Sequence, residues 1–159
     1  MSMTKSEVLA LAKRIGAEDS ANLQARASTM DGTALIAEEA KIISFEAAKR
    51  NANMLTRERG FVCAYGGQVY QLDQPYDSDT YSGTPDTLPA QWSLKHTKDP
   101  KRAKPFVDYN TSRSMYMTGD CCVYDDHVWQ SGQDNNTWVP GTLNVKWTDL
   151  GAVENRVNQ

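Results

Sequence analysis

The spacing of apolar residues divides the chain into two regions of different character. From residue 1 to about Ala52 there is one aromatic residue, Phe45, and no Pro, while Ala, Glu, Lys, Leu and Ile are frequent. This composition favours helices. Beyond about Thr56 the chain carries all 4 Trp, all 7 Tyr and all 6 Pro, and short apolar runs alternate with clusters of Asp, Asn, Gly and Ser. The second region is therefore expected to form short strands joined by turns, with a boundary between residues 53 and 60.

A short first helix is predicted close to the N-terminus. Thr4 and Glu7 have the spacing of a capping box, and Gly16 supplies a C-terminal stop. The apolar residues between them at helical spacing are Val8, Leu11 and Ile15.

A second, longer helix is predicted from about residue 33 to 53, behind Asp31 and Gly32, with a length of about 30 Å. Its apolar stripe is formed by Leu35, Ile36, Ala40, Ile43 and Ala47. The stripe has two interpretations. It is part of the intramolecular core, the more common role of such a face, or it is a docking face for a partner or for copies of the chain. In the second case the assembly interface residues are Leu35, Ile36 and Ile43.

The second region contains an internal repeat. Residues 60–71 align with residues 119–130, and Gly, Cys, Tyr, Val, an aromatic residue and Gln coincide. Each copy continues through a polar loop to a proline and ends near a Trp, Trp92 in the first copy and Trp147 in the second. The first copy is longer only in its loop.

Each copy is predicted to form a β-hairpin, a loop and a third short strand. Gly66 and Gly67 in the first copy, and Asp125 and Asp126 in the second, occupy the position of a two-residue turn between alternating runs. The predicted structural core residues are Tyr65, Trp92, Tyr124 and Trp147. A unit of about 35 residues is smaller than an unassisted core usually requires. The two copies are therefore expected to pack on each other, on the helices or across an oligomer.

The predicted fold class is α+β, with an N-terminal helical segment followed by two small three-stranded antiparallel β units. The predicted segments are 1–55 for helical attachment and oligomerisation, 56–97 for the first β unit, 98–112 for a linker, 113–153 for the second β unit and 154–159 for a tail.

The charge of the chain excludes some classes of partner. The chain has 17 Lys and Arg and 20 Asp and Glu, a net charge of -3, so it lacks the basic field that attracts phosphate backbones or anionic lipids. We expect neither nucleic acid nor a membrane as a partner. The chain has no apolar run of about 18 residues and no secretory signal, so synthesis in the cytoplasm is expected.

Candidate chemistry is sparse. The three Cys are odd in number and two of them, Cys121 and Cys122, are adjacent, which predicts free thiols. Adjacent Cys on a strand point to opposite faces, and their spacing with His127 matches no zinc pattern, so neither a metal nor a cofactor is predicted. No Ser or Cys partner pattern surrounds His96 or His127, and the sequence predicts no enzyme.

The second copy resembles the chitin-binding type 3 fold, which comprises carbohydrate-binding module families five and twelve. The residues that match the family pattern are Tyr116, Gly119, Asp120, Tyr124, Trp129, Ser131, Pro140, Gly141, Trp147 and Leu150. Cys122 replaces a family valine, and Asp126 replaces the turn glycine. The match covers residues 116–150; the first copy matches more weakly, and the N-terminal third lies outside it.

The loop of the second copy, with its Trp-x-Ser, Asp-x-Asn and Pro, is similar to the form common in tail, fibre and decoration proteins of tailed bacteriophages. The resemblance implies a non-catalytic structural protein located in a virion, either a capsid decoration or head-fibre protein or a tail or fibre accessory protein. Other virion proteins are then the partners, and the chain forms a homo-oligomer. The alternative is a glycan-binding accessory module that targets a hydrolase or the virion to a polysaccharide, with a surface glycan as partner.

Members of the family that bind polysaccharides stack two adjacent aromatic residues on sugar rings. The matching positions here carry Gln133 and Asp134, which have no π face. Trp138, alone in a polar loop, is the candidate substitute, and Tyr109 lies near the position of an upstream family Trp. The predicted carbohydrate-contacting residues are Trp138, Trp129, Tyr109, Tyr76 and Tyr81.

Overall fold

The computed structural model describes residues 2–108, 111–143 and 146–154, and its fold class is α+β. Within these ranges the α-helices are α1 (Lys5–Arg26), α2 (Gly32–Ala37) and α3 (Phe45–Asn51). The strands are β1 (Val62–Tyr65), β2 (Gln68–Leu72), β3 (Trp92–Leu94), β4 (Lys104–Pro105), β5 (Cys121–Tyr124), β6 (His127–Ser131) and β7 (Trp147–Ala152). Short 3₁₀ turns connect several of these elements.

The strands form two sheets. The first sheet has the order β1-β2-β3 and is antiparallel throughout, as predicted. The second has the order β4-β5-β6-β7, in which β4 is parallel to β5 and the other pairs are antiparallel. The prediction of three antiparallel strands for the second unit is therefore wrong, because β4, from the segment predicted to be a linker, joins the sheet. Pro105 in β4 has no N–H to donate, which suits an edge strand.

Helix α1 begins as predicted and ends later than predicted. The Thr4 hydroxyl accepts from the Glu7 N–H at 3.1 Å, and the Glu7 carboxylate accepts from the Thr4 N–H at 2.9 Å, so the capping box is confirmed. The predicted stop at Gly16 is wrong, since the helix continues to Arg26. Gly16 does not adopt the positive φ of a C-terminal cap. The good helix formers that follow it offset the cost of about 1 kcal/mol for an interior glycine.

The predicted long second helix is also wrong, because the chain between α2 and α3 is extended at Ile42 and Ser44. The Ala64 N–H donates to the Ile43 carbonyl at 2.9 Å, and Ser44 lies opposite Ala64 in a parallel bridge. Ser44 then caps α3 by accepting from the Ala47 N–H at 3.2 Å. Pairing with β1 therefore takes precedence over the helical pattern of this stretch.

The helices cover the first sheet. Leu35 and Ile36 of α2 are fully buried, and Ile43 packs against the core that contains Phe45 and Trp92. The other buried residues on the α1 and α2 side are Leu23, Ala27, Ile42, Val62 and Val69. Leu35 and Ile36 thus belong to the intramolecular core and Ile43 packs against it, whereas Ala40 of the predicted stripe is exposed, and the interpretation of Leu35, Ile36 and Ile43 as an assembly interface is corrected.

The two hairpins have the same register. Cys63 lies opposite Tyr70 in the first unit, and Cys122 lies opposite Trp129 in the second. The turn residues adopt left-handed conformations in both hairpins. Their φ angles are 58° for Gly66, 79° for Gly67, 51° for Asp125 and 61° for Asp126. This is the geometry of the predicted two-residue turn, in which both central residues have positive φ.

The strand ends repeat as well. The Gly60 N–H donates to the Leu72 carbonyl at 2.8 Å, and the Gly119 N–H donates to the Ser131 carbonyl at the same distance. The third strands begin at equivalent pairs, Leu72 with Trp92 and Ser131 with Trp147. The prediction that the two β units share one strand pairing is confirmed.

A phenylalanine upstream of each hairpin extends the repeat beyond the aligned residues. The Phe45 ring lies edge-on to the rings of Tyr65 and Trp92, with centroids 6.0 Å away in both cases. The Phe106 ring has the same arrangement with Tyr124 at 5.8 Å and Trp147 at 6.3 Å. The rings that surround each Phe include the third-strand Trp, and Trp92 and Trp147 are buried core residues as predicted. Each unit therefore has an aromatic core centred on a Phe that precedes its hairpin.

The two units pack on each other within one chain. The Cys121 N–H donates to the Thr97 carbonyl at 2.7 Å, so the chain leaving the first sheet pairs with β5. The His96 ring stacks on the Tyr116 ring, with centroids 3.8 Å apart. The Gln68 side-chain amide donates to the Pro105 carbonyl at 3.1 Å. The expectation that the small units gain stability by packing together is met by these contacts.

A helical side chain occupies the place of Thr97 in the first unit. The Val62 N–H donates to the Gln24 side-chain oxygen at 3.0 Å, and the Gln24 amide donates to the Val62 carbonyl at 2.8 Å. Val62 is the repeat equivalent of Cys121. The Gln24 amide thus forms the two hydrogen bonds that a neighbouring strand would form, and it connects the end of α1 to the edge of the first sheet.

Candidate functional site

An aromatic face on the second unit is the first candidate site. Tyr124 lies opposite His127 in the hairpin, and Asp149 of β7 lies opposite Trp129. Residues directly opposite each other, and residues two apart on one strand, point to the same side of a sheet. These four side chains, which we call the aromatic face, therefore share one side of the second sheet. Near β4 that side is closed by Phe106, and towards the turn it is open to solvent.

The Trp129 ring is held in place and half-buried. Its indole N–H donates to the Tyr124 carbonyl at 3.0 Å, and one side packs against the core that contains Trp147. A side chain at position 141 would touch this ring, because a Cβ added to Gly141 would lie 3.7 and 3.8 Å from two atoms of its six-membered part. Trp129 therefore presents a fixed, partly exposed apolar surface of the kind that packs against a sugar ring or a partner side chain.

A hydrogen-bonded pair of His127 and Asp149 lies beside this ring. The Nδ1 of His127 lies 2.8 and 2.9 Å from the two carboxylate oxygens of Asp149. The hydrogen bond to Asp149 raises the pKa of His127, and the same bond lowers the pKa of Asp149. Both side chains are well exposed. The pair adds oriented hydrogen-bonding groups to the apolar surface of Trp129.

The loop that carries Trp138 has a fixed backbone and an exposed ring. The Trp147 indole N–H donates to the Trp138 carbonyl at 2.8 Å. Asn136 is fully buried, and its side-chain amide donates to the Ser131 hydroxyl and to the Lys146 carbonyl, each at 3.0 Å. The Trp138 side chain itself is 55% exposed. The prediction that Trp147 is core and Trp138 is not is confirmed.

The other predicted sugar-contacting residues lie in different environments. Tyr76 is buried, and its hydroxyl accepts from the Trp92 indole N–H at 3.1 Å, so its assignment as a sugar contact is wrong. Tyr81 is exposed on the loop of the first unit. Tyr109 lies outside the described residues. The structure thus leaves Trp129 and Trp138 on the second unit, and Tyr81 on the first, as accessible aromatic residues.

The sequence analysis missed the polar part of the aromatic face and misplaced Tyr124. Tyr124, predicted to be core, is 40% exposed, because it is the last residue before the turn and no helix of the described residues covers it as α3 covers the equivalent Tyr65. The pairing of His127 with Asp149 depends on the register of β7. Strand alternation would have indicated it, since Asp149 lies two residues after the buried Trp147 and so shares its side of the sheet.

The thiols and the second histidine have structural roles. All three Cys are free, as predicted, and buried. Burial raises the pKa of Cys121 to about 11 and that of Cys122 to about 12, so both remain protonated. The Nε2–H of His96 donates to the Ser114 carbonyl at 2.7 Å, and burial lowers the pKa of His96. Each of these groups is part of the packing between elements.

The N-terminal part of α1 is the second candidate site. Leu23 is the buried residue of this helix, and the helix is docked on the first unit through its last turn by Leu23 and Gln24. Residues 2–19 project beyond the body of the protein, with Leu11 partly covered and the others exposed. Val8 and Ile15 are 50% and 47% exposed. Most of the stability of a helix in a protein comes from packing of its apolar side chains, and the described part of the chain buries none of those in residues 2–19, so they are free to contact a partner.

Within the described parts of the chain, no helix is long and apolar enough to cross a membrane. Comparisons with protein family models, with curated proteins and with solved structures found no match to the chain.

Proposed function

We propose that the chain is a non-catalytic structural protein of a bacteriophage virion, a capsid decoration or head-fibre protein or a tail or fibre accessory protein. In this role the N-terminal helix attaches the protein to other virion proteins, and the two carbohydrate-binding-module-like units are displayed. The observation that carries the proposal is that residues 2–19 leave Val8 and Ile15 exposed and add nothing to the buried clusters of the described chain, which are formed by later residues.

The local structure around Gly119 and Asp120 supports the likeness to carbohydrate-binding modules. Gly119 has a φ of 92°, which favours glycine. The buried Asp120 carboxylate accepts from the Met117 N–H at 2.7 Å and pairs with the Lys98 ammonium at 3.1 Å. Gly119 and Asp120, which match the Gly-Asp pair of the family pattern, thus fix the backbone immediately before the hairpin. This is a structural reason for the two residues to occur together.

The test of the proposal is deletion of residues 2–19 from the full chain. Because Leu23, Gln24 and Ala27 remain, the truncated protein should keep its melting temperature within a few degrees. It should no longer co-sediment with virions made in the absence of this chain, whereas the full chain should. Full incorporation of the truncated protein would show that α1 is not the attachment segment.

A second candidate function is glycan binding, and the aromatic face favours it. Trp129 offers a half-exposed ring beside the His127–Asp149 pair, an arrangement that can stack on a sugar and bond to its hydroxyls. If this function is retained, the protein should be pulled down by an insoluble polysaccharide such as chitin. Trp129→Ala should then abolish the binding, and Tyr81→Ala on the first unit should leave it unchanged. Equal retention of all three proteins would exclude the aromatic face as the site.

A further inference from the structure

His96 lies at the junction between the two β units. It directly precedes Thr97, whose carbonyl accepts from the Cys121 N–H at the start of β5 at 2.7 Å. The His96 ring stacks on the Tyr116 ring of the second unit, with centroids 3.8 Å apart and an angle of 20° between the planes. The start of α2 packs so closely on this segment that a Cβ added to Gly32 would overlap the His96 carbonyl. His96 therefore contacts both the second unit and the helices that cover the first.

The repeat itself does not require a histidine at this position. His96 follows Trp92 by four residues, and the residue that follows Trp147 by four in the second unit is Gly151. The Tyr116 ring on which His96 stacks is 2% exposed and packs edge-on against the Trp147 ring at 5.3 Å. The His96 ring thus adds a residue of the first unit to the aromatic core of the second, and it is a feature of the junction.

The hydrogen bond of the His96 ring fixes its neutral form. The Ser114 carbonyl can only accept, so the Nε2 of His96, 2.7 Å away, carries a hydrogen. Ser114 is 1% exposed, and its hydroxyl accepts from the Leu94 N–H at 3.0 Å, so this carbonyl is held in place. A further proton must therefore bind Nδ1, and it gives the packed ring a full positive charge.

Charged groups face this site from each element packed against it. They are Lys95 and Lys98 of the same segment, Arg113 of the 3₁₀ turn at 112–114 with its partner Asp73, Asp31 at the start of α2, and Asp120 and Tyr116 of the second unit. Asp31 already caps α2, and Asp120 pairs with the Lys98 ammonium at 3.1 Å. Burial raises the pKa of Tyr116, which stays uncharged. A positive charge on His96 would therefore meet cationic groups, and carboxylates that already have other partners.

The closed junction takes up a proton less readily than an open one. Water reaches the site through a cavity of about 190 Å³ that His96 helps to line. Burial is the largest cause that lowers the pKa of His96, and Lys95 and Lys98 add to it. The hydrogen bond to Ser114 and the charge of Asp120 oppose it. When the junction opens, the ring is hydrated and its pKa returns toward the ordinary value of about 6.5. Acidification below about 6.5 therefore favours the open junction, which binds more protons.

We propose that His96 is a pH-sensitive switch in the packing of the two β units. Neutral His96 holds the junction closed, and protonated His96 loosens it while each hairpin keeps its own hydrogen bonds. The consequence is that the relative placement of the two units becomes less fixed in an acidic medium. The switch acts within one chain, so it is independent of the attachment proposed for α1.

The first test is amide hydrogen exchange of the full chain at about pH 7.5 and about pH 5, with each rate divided by that of the same amide in an unstructured chain. The protection of the Cys121 amide, which donates to Thr97 across the junction, should fall on the order of tenfold at the lower pH. The Ser131 amide, which donates to the Asp120 carbonyl inside the second unit, is the internal control and should change by less than about twofold. Constant protection of Cys121, or an equal fall at Ser131, would overturn the proposal.

The second test uses matched variants of the two histidines in the chain. His96→Gln keeps an amide that can donate to the Ser114 carbonyl and does not titrate, so the protection of Cys121 should no longer depend on pH. His127→Gln removes the exposed histidine and should keep the wild-type fall. A remaining fall in His96→Gln, or its loss in His127→Gln, would contradict the proposal. A wild-type His96 that titrates at or above about 6.5 by NMR would also overturn it, and this measurement needs no variant.

Discussion

Tyr70 in the first β unit and Trp129 in the second occupy the same position opposite a buried cysteine, yet Tyr70 is buried and Trp129 is half-exposed. The difference lies in what covers each sheet. The first sheet is covered by α3 and by the loop that carries Tyr76, and α1 and α2 close its other side. In the part of the chain that the structure describes, no such helix lies over the turn end of the second sheet, where Tyr124 is exposed. The surroundings of a repeated unit therefore decide which of its aromatic residues become surface.

The edges of the two sheets make a second comparison. The backbone N–H of Cys121 donates to the backbone carbonyl of Thr97. The backbone N–H and carbonyl of Val62 instead form hydrogen bonds with the side-chain amide of Gln24. Both arrangements provide hydrogen-bond partners for backbone groups at the outer edge of the first strand of each hairpin. One uses the chain that joins the two units, and the other uses the C-terminal end of α1, so the anchoring of α1 is part of the stability of the first unit.

The largest expected effect concerns the Trp that closes each core. Trp92→Ala and Trp147→Ala should each lower the free energy of unfolding by about 3–5 kcal/mol. The loss for Trp92→Ala should lie at the upper end of this range, because Trp92 is more deeply buried than Trp147. Its removal also leaves the Tyr76 hydroxyl without its hydrogen-bond donor. Trp138→Ala, the exposed control, should change it by no more than about 0.5 kcal/mol. Urea denaturation measures all three, and equal losses for Trp147 and Trp138 would refute the assigned cores.

The next effect tests the edge of the first sheet. Gln24→Met keeps the length of the side chain and removes both bonds to Val62, so it should lower the free energy of unfolding by about 1–3 kcal/mol. Gln74→Met, the same change at an exposed position, is the control and should be nearly neutral. Comparable urea midpoints for the two variants would mean that the Gln24 amide does not stabilise the edge.

Two smaller changes in stability, of opposite sign, are expected at the hairpin turns. Asp126 has a φ of 61°, which is strained for a residue with a side chain, so Asp126→Gly should stabilise the protein by on the order of 1 kcal/mol. Gly67→Asp, at the equivalent turn position, should destabilise it by a similar amount. Thermal unfolding of both variants should give shifts of opposite sign, and shifts of the same sign would contradict equivalent turns.

The smallest effect is on the pH dependence of stability, to which the two histidines should contribute with opposite signs. The pKa of His96 is lowered chiefly by burial, with Lys95 and Lys98 adding to it and Asp120 opposing it. The unfolded chain therefore takes up a proton that folded His96 does not, and stability from this site falls as the pH drops below about 6.5. The pKa of His127 is raised, so its contribution is present at low pH and is lost as the pH rises. NMR titration should place His96 below about 6.5 and His127 above it; the reverse order would refute both assignments.

The parts of the fold that the sequence predicts are those set by neighbours along the chain. The capping box at Thr4, the turns at Gly66 and Asp125 and the common hairpin register all follow from local patterns. The errors arise where a distant strand decides the conformation. The chain is extended at Ile42 and Ser44 because the Ile43 carbonyl between them accepts from the Ala64 N–H, and no pattern within its own segment shows that.

The same distinction applies to the candidate site. The exposure of Trp138 follows from its isolation in a polar loop, and the sequence predicts it. The pair of His127 with Asp149 depends on the register of β7 against β6, and Tyr124 is exposed because none of the described helices covers it. Burial by other elements cannot be read from the unit's own residues, which is why Tyr76 and Tyr124 were assigned to the wrong environments.

The central claim is that the chain contains two copies of one β unit with the same hydrogen bonds. Amide hydrogen exchange of the full chain, followed residue by residue by NMR, tests it most directly. The amides of Gly60 and Leu72 in the first unit, and of Gly119 and Ser131 in the second, should all be protected, because each donates across its hairpin at 2.7 to 2.8 Å. Protection of the first pair, with the second pair exchanging at the rate of an unstructured chain, would contradict the claim.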